Sequence, residues 1–143
     1  MPMIDVYAPD DLFPAGSDRA IGEQLTKAVL RAEGVTQPTP FHLDNTAAFV
    51  HLLPASRIQT ASTEKARAVR VQVLTPPSAL SRDGQKQLVR EITEILATIA
   101  GDESLPRRTW VLLTEGAPGG WGIAGTAFGK EEFIALSQGK LKL

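Results

Sequence analysis

One pattern occurs twice in this chain. A short alternating apolar run, a helix-period stretch and a second apolar run recur at an offset of roughly 64 residues, and a repeat of that size commits the chain to two copies of one supersecondary unit. In the first copy, residues 3–8 alternate and stop at Pro9-Asp10-Asp11, which reads as a strand and a turn. Ser17 is placed to cap a helix that carries Ile21, Leu25, Ala28, Val29 and Ala32 on one face and ends at Gly34. Residues 35–45, with two prolines, read as a loop; residues 47–53 read as a strand closed by Pro54; residues 55–66 read as a hairpin and connector. In the second copy, residues 69–74 alternate as Val-Arg-Val-Gln-Val-Leu, and Ser81 caps a helix bearing Leu88, Val89, Ile92, Ile95, Leu96 and Ile99 on one face before Gly101. A strand over 109–114 and a glycine-rich turn with a short hairpin over 116–125 follow.

Each copy is therefore expected to be a β-α-β unit with parallel strands and a right-handed crossover. The fold class is α+β (α/β): residues 1–66 and 67–143 form the two units of a single domain, with four main strands in one mixed sheet and two helices on one face. Alternation puts Ile4, Val6, Ala8 and Val69, Val71, Val73 toward the helices, leaving Met3, Asp5, Tyr7 and Arg70, Gln72, Leu74 on the other side. Two helices leave much of that semi-polar face uncovered in a monomer, which argues for an oligomer packed through it.

Composition narrows the functions. Fifteen Lys and Arg against sixteen Asp and Glu give a formal charge of −1, without the positive field that nucleic-acid binding needs. There is no cysteine and there are two histidines without metal-ligand spacing, so no thiol chemistry and no metal site are expected. Neither a secretory signal nor an apolar stretch long enough to span a membrane stands out, and the expectation is a soluble, cytoplasmic protein with no membrane partner.

The start Pro2-Met3-Ile4-Asp5-Val6-Tyr7, the doubled β-α-β plan, the strand Val50-His51-Leu52-Leu53-Pro54, and Val111-Leu112-Leu113-Thr114-Glu115 followed by Trp121-Gly122-Ile123-Ala124-Gly125 together resemble the tautomerase superfamily. That group includes 4-oxalocrotonate tautomerase, malonate semialdehyde decarboxylase, cis-3-chloroacrylic acid dehalogenase and macrophage migration inhibitory factor. The resemblance implies a homotrimer and a cofactor-independent tautomerase (isomerase) acting on a small enol or keto acid, with Pro2 as general base and Trp121 as an aromatic wall. Removal of Met1 is expected, because the next residue is compact; the ring nitrogen of Pro2 then becomes a secondary amine. Apolar surroundings disfavour the charged form of such an amine and leave free base near neutral pH.

A developing enolate or a substrate carboxylate needs a positive partner. Arg70 and Arg108 are the candidate substrate-binding cations, Arg70 ahead of Arg108, with Arg57 a further possibility; Arg70 also has Asp5 as a possible partner across the sheet. The arginines the family places elsewhere are absent: Gly16 and Leu80 precede the two helices, Ser78 and Leu80 stand at the decarboxylase pair, and Trp110 at a strand arginine. These departures count against a hydratase or decarboxylase that uses protonated proline. They also keep open a rival reading, a tautomerase-like scaffold that has lost catalysis and serves as a binding module. His42 and His51 read as lone structural histidines.

Overall fold

The computed structural model describes residues 1–142. Strand β1 (Met3–Pro9) leads through helix α1 (Ser17–Ala32) and a one-turn helix α2 (Pro40–Asp44) to β2 (Ala47–Leu53). Strand β3 (Val69–Thr75) leads through α3 (Arg82–Ala100) to β4 (Thr109–Glu115), and the chain closes with a hairpin, β5 (Trp121–Ile123) and β6 (Thr126–Phe128), and helix α4 (Lys130–Ser137). The main sheet runs β2-β1-β3-β4. Each β-α-β pair is parallel, and the two pairs join through antiparallel β1 and β3, with Met3 opposite Leu74 and Val6 opposite Val71. The mixed sheet with its helices is the fold the sequence called for, and among the described residues no helix is long and apolar enough to cross a membrane.

The core follows from the two periodicities. Ile4, Val6, Ala8, Val69, Val71 and Val73 are fully buried against Ile21, Leu25, Val29, Leu88, Ile92 and Leu96 of the helices. Each such side chain contributes about 1.5–3 kcal/mol through area removed from water. The other face holds Asp5, Tyr7, Arg70 and Gln72, with Phe49, Trp110 and Leu112 among the exposed large apolar residues of the chain.

Local chemistry explains where the elements end, and where the sequence reading misplaced them. Ser81 caps α3, its Oγ accepting from the Gly84 N–H at 3.0 Å, and Gly101 ends that helix in the left-handed region. Ser17 does not cap α1: Gly16 holds the cap position with φ 81°, and the Ser17 hydroxyl donates to the Pro14 carbonyl at 2.6 Å. The stretch 35–45 is not all loop, since Pro40 at the first position and Thr39 before it start α2. The final hairpin runs past 125 to Phe128, turning at Ala124 and Gly125, both at positive φ as a two-residue reversal demands. Helix α4 had no counterpart in the sequence reading; the Glu132 carboxylate accepts from the Gly129 N–H at its start, at 2.7 Å.

Two glycines separate close packing from mere helix composition. A Cβ on Gly84 would lie 2.9 Å from the Ala32 carbonyl oxygen, where the start of α3 meets the end of α1; a Cβ on Gly22 would sit 3.8 Å from Ala48 Cβ. Gly84→Ala is expected to destabilise by about 1–3 kcal/mol despite alanine's helix preference. Gly22→Ala should gain about 0.5–1 kcal/mol. Urea unfolding of the two variants checks both signs.

Candidate active site

The chain start is buried. Met1 packs with Trp121 and Phe128 in a small apolar cluster, with Phe41, Phe133 and Leu136 around it. The Pro2 backbone is held to the sheet, its carbonyl accepting from the Ala47 N–H at 3.2 Å. Beside it lies a cavity of about 490 Å³ whose walls include Val35, Phe41, Pro76, Ala79, Phe133 and Leu136. Met1, Glu33, Thr39 and His42 complete the lining. One wall belongs to the turn after β3, where Ser78 adopts φ 62°, a left-handed conformation for a non-glycine residue and a form of strain that gathers at functional sites.

The polar content of this cavity is small. The Met1 ammonium donates to Glu33 Oε2 at 3.3 Å, and both side chains are nearly inaccessible, at 5% and 6%. Among the described residues, Glu33 Oε1 is buried without a hydrogen-bond partner. Burial lowers the Met1 ammonium below its ordinary pKa, against the opposing pull of Glu33. Burial likewise raises the Glu33 carboxyl above the usual carboxylate range, against the stabilising Met1 ammonium. Glu33 also caps the C-terminus of α1, whose exposed carbonyl dipoles disfavour a negative charge. His42 is pushed toward its neutral form by burial first and by the chain-start cation second. Its Nδ1 accepts from the Thr39 N–H at 3.2 Å, which leaves Nε2 as the proton-bearing nitrogen of the neutral ring. Among the described residues, no lysine or arginine lines the cavity.

Of the residues expected from the sequence, Trp121 packs on Met1, next to Pro2 in the chain, and the two arginines lie elsewhere. While Met1 is attached, the Pro2 nitrogen is an amide without basicity. Arg70 lies on the open face of β3, opposite Tyr7 in register and four residues from Leu74, the partner of Met3. Its guanidinium stands 5.5 Å from the Tyr7 ring centroid and donates to Gln72 Oε1 at 3.0 Å. It does not pair with Asp5, whose carboxylate meets His51 Nε2 at 2.8 Å while the His51 ring stacks on Tyr7. Arg108 is tied to the Arg67 carbonyl at 2.6 Å and to Asp102 at 2.8 Å, beside a separate surface cleft. Sequence reasoning missed Glu33 altogether. The signal available was a glutamate in the last turn before Gly34, a helix end where a carboxylate is out of place.

Solved structures share this fold. A fused 4-OT wild-type symmetric trimer superposes with a TM-score of 0.70 at 17% identity, over 87% of this chain and 93% of that one. The fold is that of the tautomerase superfamily. A macrophage migration inhibitory factor-like protein from Entamoeba histolytica gives a TM-score of 0.69 at 16% identity, over 89% and 98% of the two chains. N1, a member of the cis-3-chloroacrylic acid dehalogenase family, gives 0.70 at 20%, over 94% and 91%. No family model and no curated protein matches the sequence.

The raised Glu33 carboxyl carries a testable pH signature in the chain that retains Met1. Its stabilising share is fully present below the ordinary value of 4.5 and is lost as pH rises through the raised folded-state value. Denaturant unfolding as a function of pH is expected to show that decline above pH 4.5 in the wild type, and Glu33→Gln is expected to remove it.

Proposed function

We propose that the protein, once Met1 is excised, is a cofactor-independent keto–enol tautomerase in which the Pro2 amine is the general base. The observation that carries this reading is the buried chain start against a largely apolar cavity. Burial lowers the Met1 ammonium, and the apolar walls of the same cavity disfavour the charged form of a ring amine freed there by loss of Met1. Free proline nitrogen takes the proton α to a carbonyl and returns it at the other end of the enol system. Excision of Met1 also uncovers Trp121, against which its side chain packs, as a wall of the enlarged cavity.

The two units, 1–66 and 67–143, act together here: the first contributes Met1, Glu33 and His42 to the cavity walls, and the second contributes Pro76, Ala79 and Phe133. Trimerisation through the open sheet face is part of the reading, supported by exposed Phe49, Trp110 and Leu112 on that face and by the trimeric fused 4-OT neighbour. A substrate carboxylate would need a cation from a second protomer, for which Arg70 is better placed than Arg108, already engaged by Asp102. The rival reading, a binding module without catalysis, is favoured by one observation: the snug burial of Met1 with its ammonium on Glu33.

Intact-mass measurement separates the two, the enzyme reading requiring loss of Met1. Pro2→Ala is then expected to lower kcat for ketonisation of enolic phenylpyruvate by about 10²–10⁴-fold, the usual share of a general base. Equal rates would remove Pro2 from the chemistry. In sedimentation equilibrium the wild type is expected at three times the protomer mass, and Trp110→Glu, which places a charge in the apolar face, is expected to shift it to monomer.

A further inference from the structure

We propose that Glu33 is the second proton-carrying group of the chain-start cavity and sets its substrate class: a small carbonyl compound with an apolar body and no carboxylate. The inference rests on the tautomerase reading and deepens it. With Met1 in place the Glu33 side chain is 6% exposed, its Oε1 faces no partner among the described residues, and it lines the cavity together with His42, Thr39 and apolar side chains. An anionic ligand entering this space meets the carbonyl end of α1 and no cation of its own protomer, and it opposes the negative charge that Glu33 acquires on giving up its proton. A cationic ligand would compete with the chain's own amine for the same carboxyl.

Excision of Met1 replaces a primary ammonium by the ring amine of Pro2. In a dry site the amine and the carboxyl share one proton, and the uncharged pair, free proline and carboxylic acid, avoids burying two charges. That pairing is the protonation state enolisation requires. Pro2 nitrogen takes the α-proton, breaking C–H and forming N–H; the C–H electrons form the C=C bond; the carbonyl π electrons go to oxygen, which takes the Glu33 proton. Glu33 is left as carboxylate beside protonated Pro2, and the reverse sequence ketonises an enol with no other reactant. The aryl and aliphatic walls, Phe41, Phe133 and Leu136 among them, suit an apolar substituent on that carbonyl.

The test compares two probes that differ in one charge, enolic phenylpyruvate and its methyl ester, on the processed protein. The expected result is a kcat/KM for the ester about tenfold or more above that for the acid, the factor that one pKa-unit equivalent of repulsion between the substrate carboxylate and the charge developing on Glu33 produces. Glu33→Gln should bring the two values together and lower kcat on the ester by about a hundredfold, as loss of a general acid does. A wild type that prefers the acid, or a Glu33→Gln variant with the wild-type preference, overturns the inference. A turnover-free pair, 3-phenylpropanamide against 3-phenylpropionate in titration calorimetry, reads the same charge preference without Pro2. Tighter binding of the amide to wild type supports the exclusion of carboxylates from this cavity even if Pro2→Ala proves fully active; tighter binding of the carboxylate overturns it. If Pro2→Ala is inactive while both charge preferences are absent, the base assignment stands and the Glu33 assignment falls.

Discussion

The antiparallel seam between β1 and β3 is the constraint on which the rest of this molecule depends. Each parallel β-α-β unit covers only its own two strands, and it is the pairing of Val6 with Val71 that makes one sheet and one core of them. A slip of one residue would send Ile4, Val6 and Ala8 to the open face and bring Met3, Asp5 and Tyr7 under the helices, burying a carboxylate and inverting the apolar pattern. The same register sets Met3 opposite Leu74, so the chain start lies next to the turn after β3. The cavity exists at that spot because two ends meet there: the beginning of one unit and the strand exit of the other.

Most of the scaffold was legible because it is written in strong periodicities and local punctuation. Period-two runs gave β1 and β3, long 3.6-period faces gave α1 and α3, and Ser81 with Gly101 bracketed α3 as their side-chain and backbone chemistry requires. What escaped has a common cause. Helices α2 and α4 are five and eight residues long, too short to be stable from their own propensity, and they form because Phe41, Phe133 and Leu136 pack on the Met1 cluster. A pattern that depends on a distant contact is invisible to a window along the chain. Ser17 was misjudged for the opposite reason: its hydroxyl found a nearer acceptor in Pro14, and Gly16 took the left-handed cap position.

The site was legible only where resemblance supplied positions. Trp121 packs on Met1 at the chain start, but their spacing in sequence says nothing of it; the β5–β6 hairpin has to fold back first. Arg70 was chosen for its strand and its charge, and alternation does place it on the open face. Alternation cannot say which end of the strand the reaction occupies, and Arg70 sits toward the end away from Leu74. Charge counting could not find Glu33 either, because its significance comes from burial and from the amine that reaches it across 32 residues of sequence.

The electrostatics of the cavity follow from helix geometry as much as from side chains. Because β1 and β3 run antiparallel, α1 and α3 do too, and the C-terminal carbonyls of α1 abut the first turn of α3 at Gly84. The N–H groups of that turn partly neutralise the Ala32 end of α1, while Glu33, one residue further, turns toward the chain start. A carboxyl held there by the last turn of a helix faces dipoles that oppose its charge and apolar walls that cannot solvate it. An amine at the end of β1 faces the same walls. Neither group can ionise alone at low cost, so in the chain that retains Met1 the ammonium and the Glu33 carboxyl each govern the proton of the other.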